Sequence, residues 1–122
     1  MGVVIWVGVG VYRGTQIMAT KHEIASGLTI AYLSNIFDYN PETGVFLWKR
    51  SAPRARIGFE AGWVTNRGYR VLTFDGHNML AHRVAWMMET GSWPDDHIDH
   101  VNLNMADNRF VNLRQATRSQ NL

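Results

Sequence analysis

The chain has 122 residues with a formal net charge of +2, and it is 46% hydrophobic, 11% aromatic and 18% charged. That is the length of one domain with enough apolar content for a core, which excludes a disordered polymer. The absence of cysteine excludes a disulfide scaffold, a thiol nucleophile and any Cys-based zinc site, leaving His, Asp and Asn as possible metal ligands.

In chain order, the first feature is an apolar run from Val3 to Tyr12. It is too short for a bilayer span of roughly 20 residues, and it lacks the basic flank of a signal peptide. Its Val/Gly repetition differs from the rest of the chain, and Met18 opens a second plausible start. We therefore expect residues 1–17 to be a disordered extension or a mis-assigned start, and residues 18–122 to be the single domain. Ile24, Leu28, Ala31, Tyr32, Ile36 and Phe37 recur at helical spacing, with Gly27 weakening the first half. The spacing predicts a helix over Thr29–Phe37 capped by Thr29.

Asn40–Gly44 reads as a turn and Val45–Lys49 as a strand. Residues 50–62 read as a basic loop. Trp63–Thr65 and Tyr69–Phe74 read as strands, and after Asp75-Gly76 the segment Met79–Ala81 pairs back. His82–Thr90 returns to helical spacing, with Gly91 as the stop. The Met87–Met88 pair and Trp48, Trp63, Trp86 and Trp93 are expected in the core, because nothing spaces the tryptophans as a stacking platform.

The small net charge hides a pattern. Lys49, Arg50, Arg54, Arg56, Arg67, Arg70 and Arg83 face only Glu60 and Asp75 over residues 49–83. Residues 84–107 carry Glu89, Asp95, Asp96, Asp99 and Asp107 without a base, and Arg109, Arg114 and Arg118 follow. A basic stretch beside an acidic cluster suits a polyanion with a cation site next to it. A salt-patterned surface is the competing reading.

The last 26 residues concentrate the chemistry. Asp99 and His100 adjoin one another, and in a strand neighbours face opposite ways, so both reach one site only near a strand end or bulge. Of the nine asparagines, five fall between 102 and 121. Asparagine side chains bond their own backbone in turns, so a rigid loop over 102–111 accounts for several; Asn102, Asn104 and Asn108 are read as loop builders. Asn112–Ala116 reads as a second strand. Thr117-Arg118-Ser119-Gln120 fits a capping box that opens a helix carrying Asn121. Hard oxygens from Asp99 and Asn121 suit Mg²⁺ or Mn²⁺, with His100 beside the ion as a base.

The pattern Asp99-His100, eleven intervening residues, Asn112, eight more, and Asn121 resembles the HNH endonuclease family, in particular its phage-type and intron-homing branch. Asp107-Asn108-Arg109 is similar to that family's Asp-Asn-Arg. Phe37–Gly44, Trp48-Lys49, Gly68-Tyr69 and His82-Arg83 also resemble that branch, so the likeness covers about residues 29–122.

The resemblance implies an α+β fold: a small antiparallel sheet with helices and a C-terminal ββα-metal unit at about 96–122. It implies His100 as general base, Asp99 and Asn121 as ligands of Mg²⁺ or Mn²⁺, and Asn112 as the brace of the loop and histidine. The product would be cut DNA, nicked or broken in both strands. Asn121 stands where the wider family often has His, which favours a hard ion over zinc. DNA would be held by Lys49, Arg50, Arg54, Arg56, Arg67, Arg70 and Arg83, with Arg109, Arg114 and Arg118 near the cut. No membrane, no nucleotide cofactor and a cytoplasmic location (the host cell's, for a phage-encoded protein) are expected. The chain ends one residue after Asn121, so the last helix is expected to be truncated. That keeps two other readings open: an impaired DNA-binding relic of such a nuclease, and a structural protein that does not meet nucleic acid.

Overall fold

A computed structural model describes residues 27–116. The expected extension at 1–17, the Thr117 capping box, Arg118 and Asn121 lie outside the described residues. The element order is α1 (Ile30–Ile36), β1 (Phe37–Asn40), β2 (Val45–Trp48), β3 (Trp63–Val64), β4 (Arg70–Phe74), β5 (His77–Leu80), α2 (Ala81–Thr90), β6 (His97–His100), a 3₁₀ turn (Phe110–Asn112) and β7 (Leu113–Ala116). The fold is α+β, as expected. Its strands form three small antiparallel sheets, β1-β2, β3-β4-β5 and β6-β7, and not one. Among the described residues no helix is long and apolar enough to cross a membrane.

Helix α1 starts where the sequence says. The Thr29 hydroxyl accepts from the Tyr32 amide at 3.1 Å, satisfying one of the donors that a helix start leaves open. It stops one residue earlier than expected, because Phe37 opens a strand that the helical spacing concealed. Over Phe37–Asn40 burial alternates, with Phe37 and Tyr39 inward and Asp38 and Asn40 outward. That is the period of a half-buried strand, and it pairs Phe37 with Trp48 and Asn40 with Val45. Phe37 is then the hub of an aromatic cluster. Its ring meets Phe46 edge-on at 5.8 Å, Phe74 edge-on at 5.2 Å and Trp48 at 5.0 Å. Truncating it to Ala would cost about 3–5 kcal/mol.

Residues 50–62 are more ordered than a loop. The chain doubles back along β2, with Trp48 N–H donating to the Phe59 carbonyl, Gly58 N–H to Trp48 and Ala61 N–H to Phe46. Helix α2 buries Ala81, His82, Val84, Ala85 and Met87 and ends at Gly91 with φ 86°, a left-handed stop that glycine adopts at little cost. It packs on α1, β4, β5 and the 3₁₀ turn, with Trp86 against Phe110 at 5.5 Å. The methionine pair sits in the core as expected, Met87 buried and Met88 packed on the cluster. Trp48, Trp86 and Trp93 join the core. Trp63 does not: it is 46% exposed, because β3 is a two-residue edge strand.

Candidate functional site

The β6-β7 hairpin pairs Asp99 with Arg114 and His100 with Leu113. Alternation buries His100 to 4% exposure and leaves Asp99 half-buried. His100 ends the strand, as a shared site for the pair requires. Beyond it the Leu103 amide donates to the His100 carbonyl at 2.9 Å, and the Val101 amide donates to the Asn112 carbonyl at 2.8 Å.

Asparagines hold the following loop. The Asn104 amide donates to Asn102 Oδ1 at 2.9 Å, and the Ala106 amide donates to Asn104 Oδ1 at 3.1 Å, each a side chain standing in for a turn carbonyl. Asn112 clamps both sides of the loop: its Oδ1 accepts from the Asn102 amide at 2.9 Å and its Nδ2 donates to the Asp107 carbonyl at 2.8 Å. Asp107 takes a two-pronged bond from Arg109, with Nε at 2.8 Å and a terminal nitrogen at 2.7 Å, and a third from Asn102 Nδ2 at 2.8 Å. The Arg109 guanidinium, first among these, holds the Asp107 carboxyl well below the usual range.

The ring of His100 meets Asn108, whose Oδ1 lies 2.9 Å from His100 Nε2. Asn108 presents its amide oxygen, which only accepts, so in this pair Nε2 is the donor and Nδ1 is left to accept. Asn108 is buried and is fixed from a distant part of the chain. Its carbonyl accepts from the Tyr39 hydroxyl at 2.6 Å, and burial pushes the Tyr39 phenol up. The Asn40–Gly44 turn lies against the same peptide. A Cβ on Gly44 would come within 2.5 Å of the Asn108 carbonyl carbon and closer still to the Arg109 nitrogen. Phe110 N–H closes the seam on the Pro41 carbonyl at 2.9 Å. The β1-β2 hairpin thus seats the loop that orients His100.

Behind His100 stands His82, edge-on with centroids 4.8 Å apart, and Tyr69 lies 5.8 Å from His82 and 6.4 Å from His100. Burial first, then the neighbouring His100 and Arg83, pushes the His82 imidazole down to about 3. It is neutral at ordinary pH, so it adds no charge beside His100.

A buried histidine at a strand end, oriented by an asparagine-built loop, agrees with what known proteins show: residues 79–122 match the model of the HNH endonuclease family. Residues 79–122 are thus similar to the HNH endonucleases. The match covers the end of β5, α2 and the whole β6–loop–β7 unit. No curated protein and no solved structure matches the chain.

Most of the expected cations already have partners. Arg67 and Arg83 line one groove beside His82 and Tyr69. Arg114 lies 3.4 Å from Asp99. Arg50 pairs with Asp75 at 2.6 Å, Arg70 with Glu60 at 3.4 Å and Arg109 with Asp107 at 2.7 Å. Lys49 donates to the Ser34 carbonyl at 2.7 Å, and Arg56 lies over the Phe59 ring at 4.9 Å. Arg54 stands exposed on the strip that doubles back along β2. Among the described residues no three His, Cys, Asp or Glu side chains gather as an ion site. Asp99 still fits a hard cation, being a carboxylate at a strand end and only half-buried, and its expected partner Asn121 lies outside the described residues.

Sequence reasoning passed over Asn108 as the partner of the histidine ring. The signal was present in Asp107-Asn108-Arg109, but a loop-building role also explained it. Tyr39 and Gly44 carried no signal, because their contact with the HNH loop depends on the tertiary fold.

Proposed function

We propose that the chain is a metal-dependent DNA endonuclease that hydrolyses phosphodiester bonds at the end of β6. The observation that carries the reading is the His100–Asn108 bond at 2.9 Å. With Nε2 donating to the Asn108 oxygen, Nδ1 can take a proton from the attacking water, which is what a general base must do. Asn112 positions this base through the loop and does not itself touch the reacting atoms. Asp99 and Asn121 would hold Mg²⁺ or Mn²⁺ through oxygen, the donor type these ions prefer. When bound, the ion supplies Lewis-acid stabilisation of charge on the phosphate and the leaving oxygen.

DNA is held by Lys49, Arg50, Arg54, Arg56, Arg67, Arg70 and Arg83, with Arg109, Arg114 and Arg118 nearer the cut. Four to six phosphate contacts would give a slope of log K against log salt of roughly −4 to −5. One observation favours a second reading, DNA binding without cleavage: Arg114 already sits on Asp99 at 3.4 Å, where an ion would have to compete with it.

Nicking of supercoiled plasmid in Mg²⁺ and in Mn²⁺ separates the two. Asp99→Ala and Asn121→Ala should each abolish cleavage and retain binding, since arginine and lysine contacts to phosphate hold the duplex. A parent chain that binds DNA with a steep salt slope yet nicks in neither metal supports the second reading. Asp99→Ala cleaving as fast as the parent overturns the assignment of the ion site.

A further inference from the structure

Beside the HNH strand end lies a groove of about 740 Å³, lined by Trp63, Arg67, Tyr69, His82, Arg83 and His97 among others. This is the volume of a small-ligand site, and among the described residues that line it none is acidic. The proposed cleavage reaction uses none of its aromatic surface.

Trp63 presents a ring that is both exposed and anchored. Its Nε1 donates to Thr73 Oγ1 at 3.0 Å, and that hydroxyl donates to Asn78 Oδ1 at 2.7 Å. The ring is therefore held in place while nearly half of the residue stays in solvent. Exposing so large an apolar surface gains nothing for folding, whereas a fixed aromatic face suits stacking of a base.

The floor of the groove carries unmet polar capacity. His82 is buried and its Nδ1 has no hydrogen-bond partner among the described residues; Arg83 Nε is likewise buried without one. The remaining bond of Arg83 is a long one, 3.4 Å to the Asp96 carbonyl. Buried donors and acceptors left open in this way are uncommon in folded proteins, and a guanidinium with free donors is suited to phosphate. Arg67 adds a second cation on the same groove. His82 also forms the partition to the cleavage site, its ring 4.8 Å from that of His100. Whatever fills the groove thus adjoins the bond placed at His100.

We propose that this groove binds one unpaired nucleotide of the DNA strand next to the bond being cut, with its base on Trp63 and its phosphate on Arg83 and Arg67. The inference rests on the nuclease reading and names its substrate class: DNA carrying an extruded or single-stranded nucleotide beside the cut. A paired base cannot offer its face to Trp63, because its neighbours in the stack cover it.

Binding is measured without metal to three DNAs of one sequence: a fully paired duplex, the same duplex with one extra unpaired nucleotide, and the single strand. The unpaired nucleotide should tighten binding roughly five- to a hundredfold over the paired duplex, the range that stacking on one aromatic ring provides. Trp63→Ala should erase that ratio and Trp63→Phe should keep most of it. Equal affinity for paired and bulged duplex, or a ratio that survives Trp63→Ala, overturns the proposal. A preference only for the fully single-stranded form still supports the subsite and assigns it to open strands, not to extruded bases. A cleavage assay on the same DNAs in Mg²⁺ keeps the two ideas apart. Preference without any cleavage upholds the groove and refutes the nuclease reading; cleavage without preference does the reverse.

Discussion

Replacing Gly44 tests whether the first hairpin seats the loop that carries Asn108. Gly44 has φ 78°, and a Cβ there would collide with the Arg109 nitrogen and the Asn108 carbonyl carbon. Gly76 has φ 81° in a similar hairpin turn, and a Cβ there would meet nothing within 4 Å. Alanine at either position carries the left-handed penalty of about 1–2 kcal/mol. Only Gly44→Ala adds a collision with backbone, which overpacking data put at about 1–3 kcal/mol. Urea unfolding should therefore show Gly76→Ala losing about 1–2 kcal/mol and Gly44→Ala about 2–5 kcal/mol. The displaced peptide belongs to Asn108, so the defect should reach His100. A shift of about 1 Å in a reacting group can cost about a hundredfold in rate, and Gly44→Ala should show a nicking loss of that order while Gly76→Ala stays near the parent. Equal stability losses in the two variants would refute the seam between the Asn40–Gly44 turn and the loop.

Other consequences follow from the same contacts. His82 is held neutral with its folded value pushed down to about 3, against about 6.5 when unfolded. The unfolded chain therefore binds more protons between these values, and the contribution is present above about pH 6.5 and lost as pH falls toward about 3; at pH 5 the loss is about 2 kcal/mol. Chemical denaturation at about pH 7 and about pH 5 should show the parent losing that much more than His82→Leu. Asn112→Ala removes both clamps on the 101–111 loop and should cost about 1–3 kcal/mol for the buried groups left unpaired, with faster amide exchange at Asn102 as the local readout. Leu103 is 78% exposed at φ 66°, so Leu103→Gly should relieve backbone strain and raise the urea midpoint, by up to about 1 kcal/mol in stability.

The sequence showed most clearly what is local. The Thr29 cap, the Gly91 stop and the Asp75-Gly76 turn all depend on residues within a few positions of one another, and the structure has each of them. Phe37–Asn40 was hidden because Phe37 lies at helical spacing from Leu33, four residues earlier, as well as in strand alternation with Tyr39, and only pairing with Val45–Trp48 decides between the two. The strip at 50–62 was hidden for a related reason: its bonds to β2 are backbone bonds, which leave little trace in side-chain pattern. Around His100 the strand end and the asparagine-built loop were legible from residue types. The Tyr39 hydroxyl behind Asn108 and the Gly44 contact beside it join distant segments, 69 residues apart for Tyr39 and Asn108, and no spacing rule reaches that far. Trp63 was misplaced into the core because aromatic content alone does not reveal an edge strand of two residues.

The most direct test is the nicking rate of His100→Ala against the parent, in saturating Mg²⁺ on the same supercoiled plasmid, with DNA affinity measured alongside. A general base removed from an otherwise intact site should lower the rate roughly 10²–10⁴-fold, with affinity for DNA retained. A His100→Ala chain that nicks at the parent's rate would contradict the assignment of His100 as the base and, with it, the place of cleavage at the end of β6.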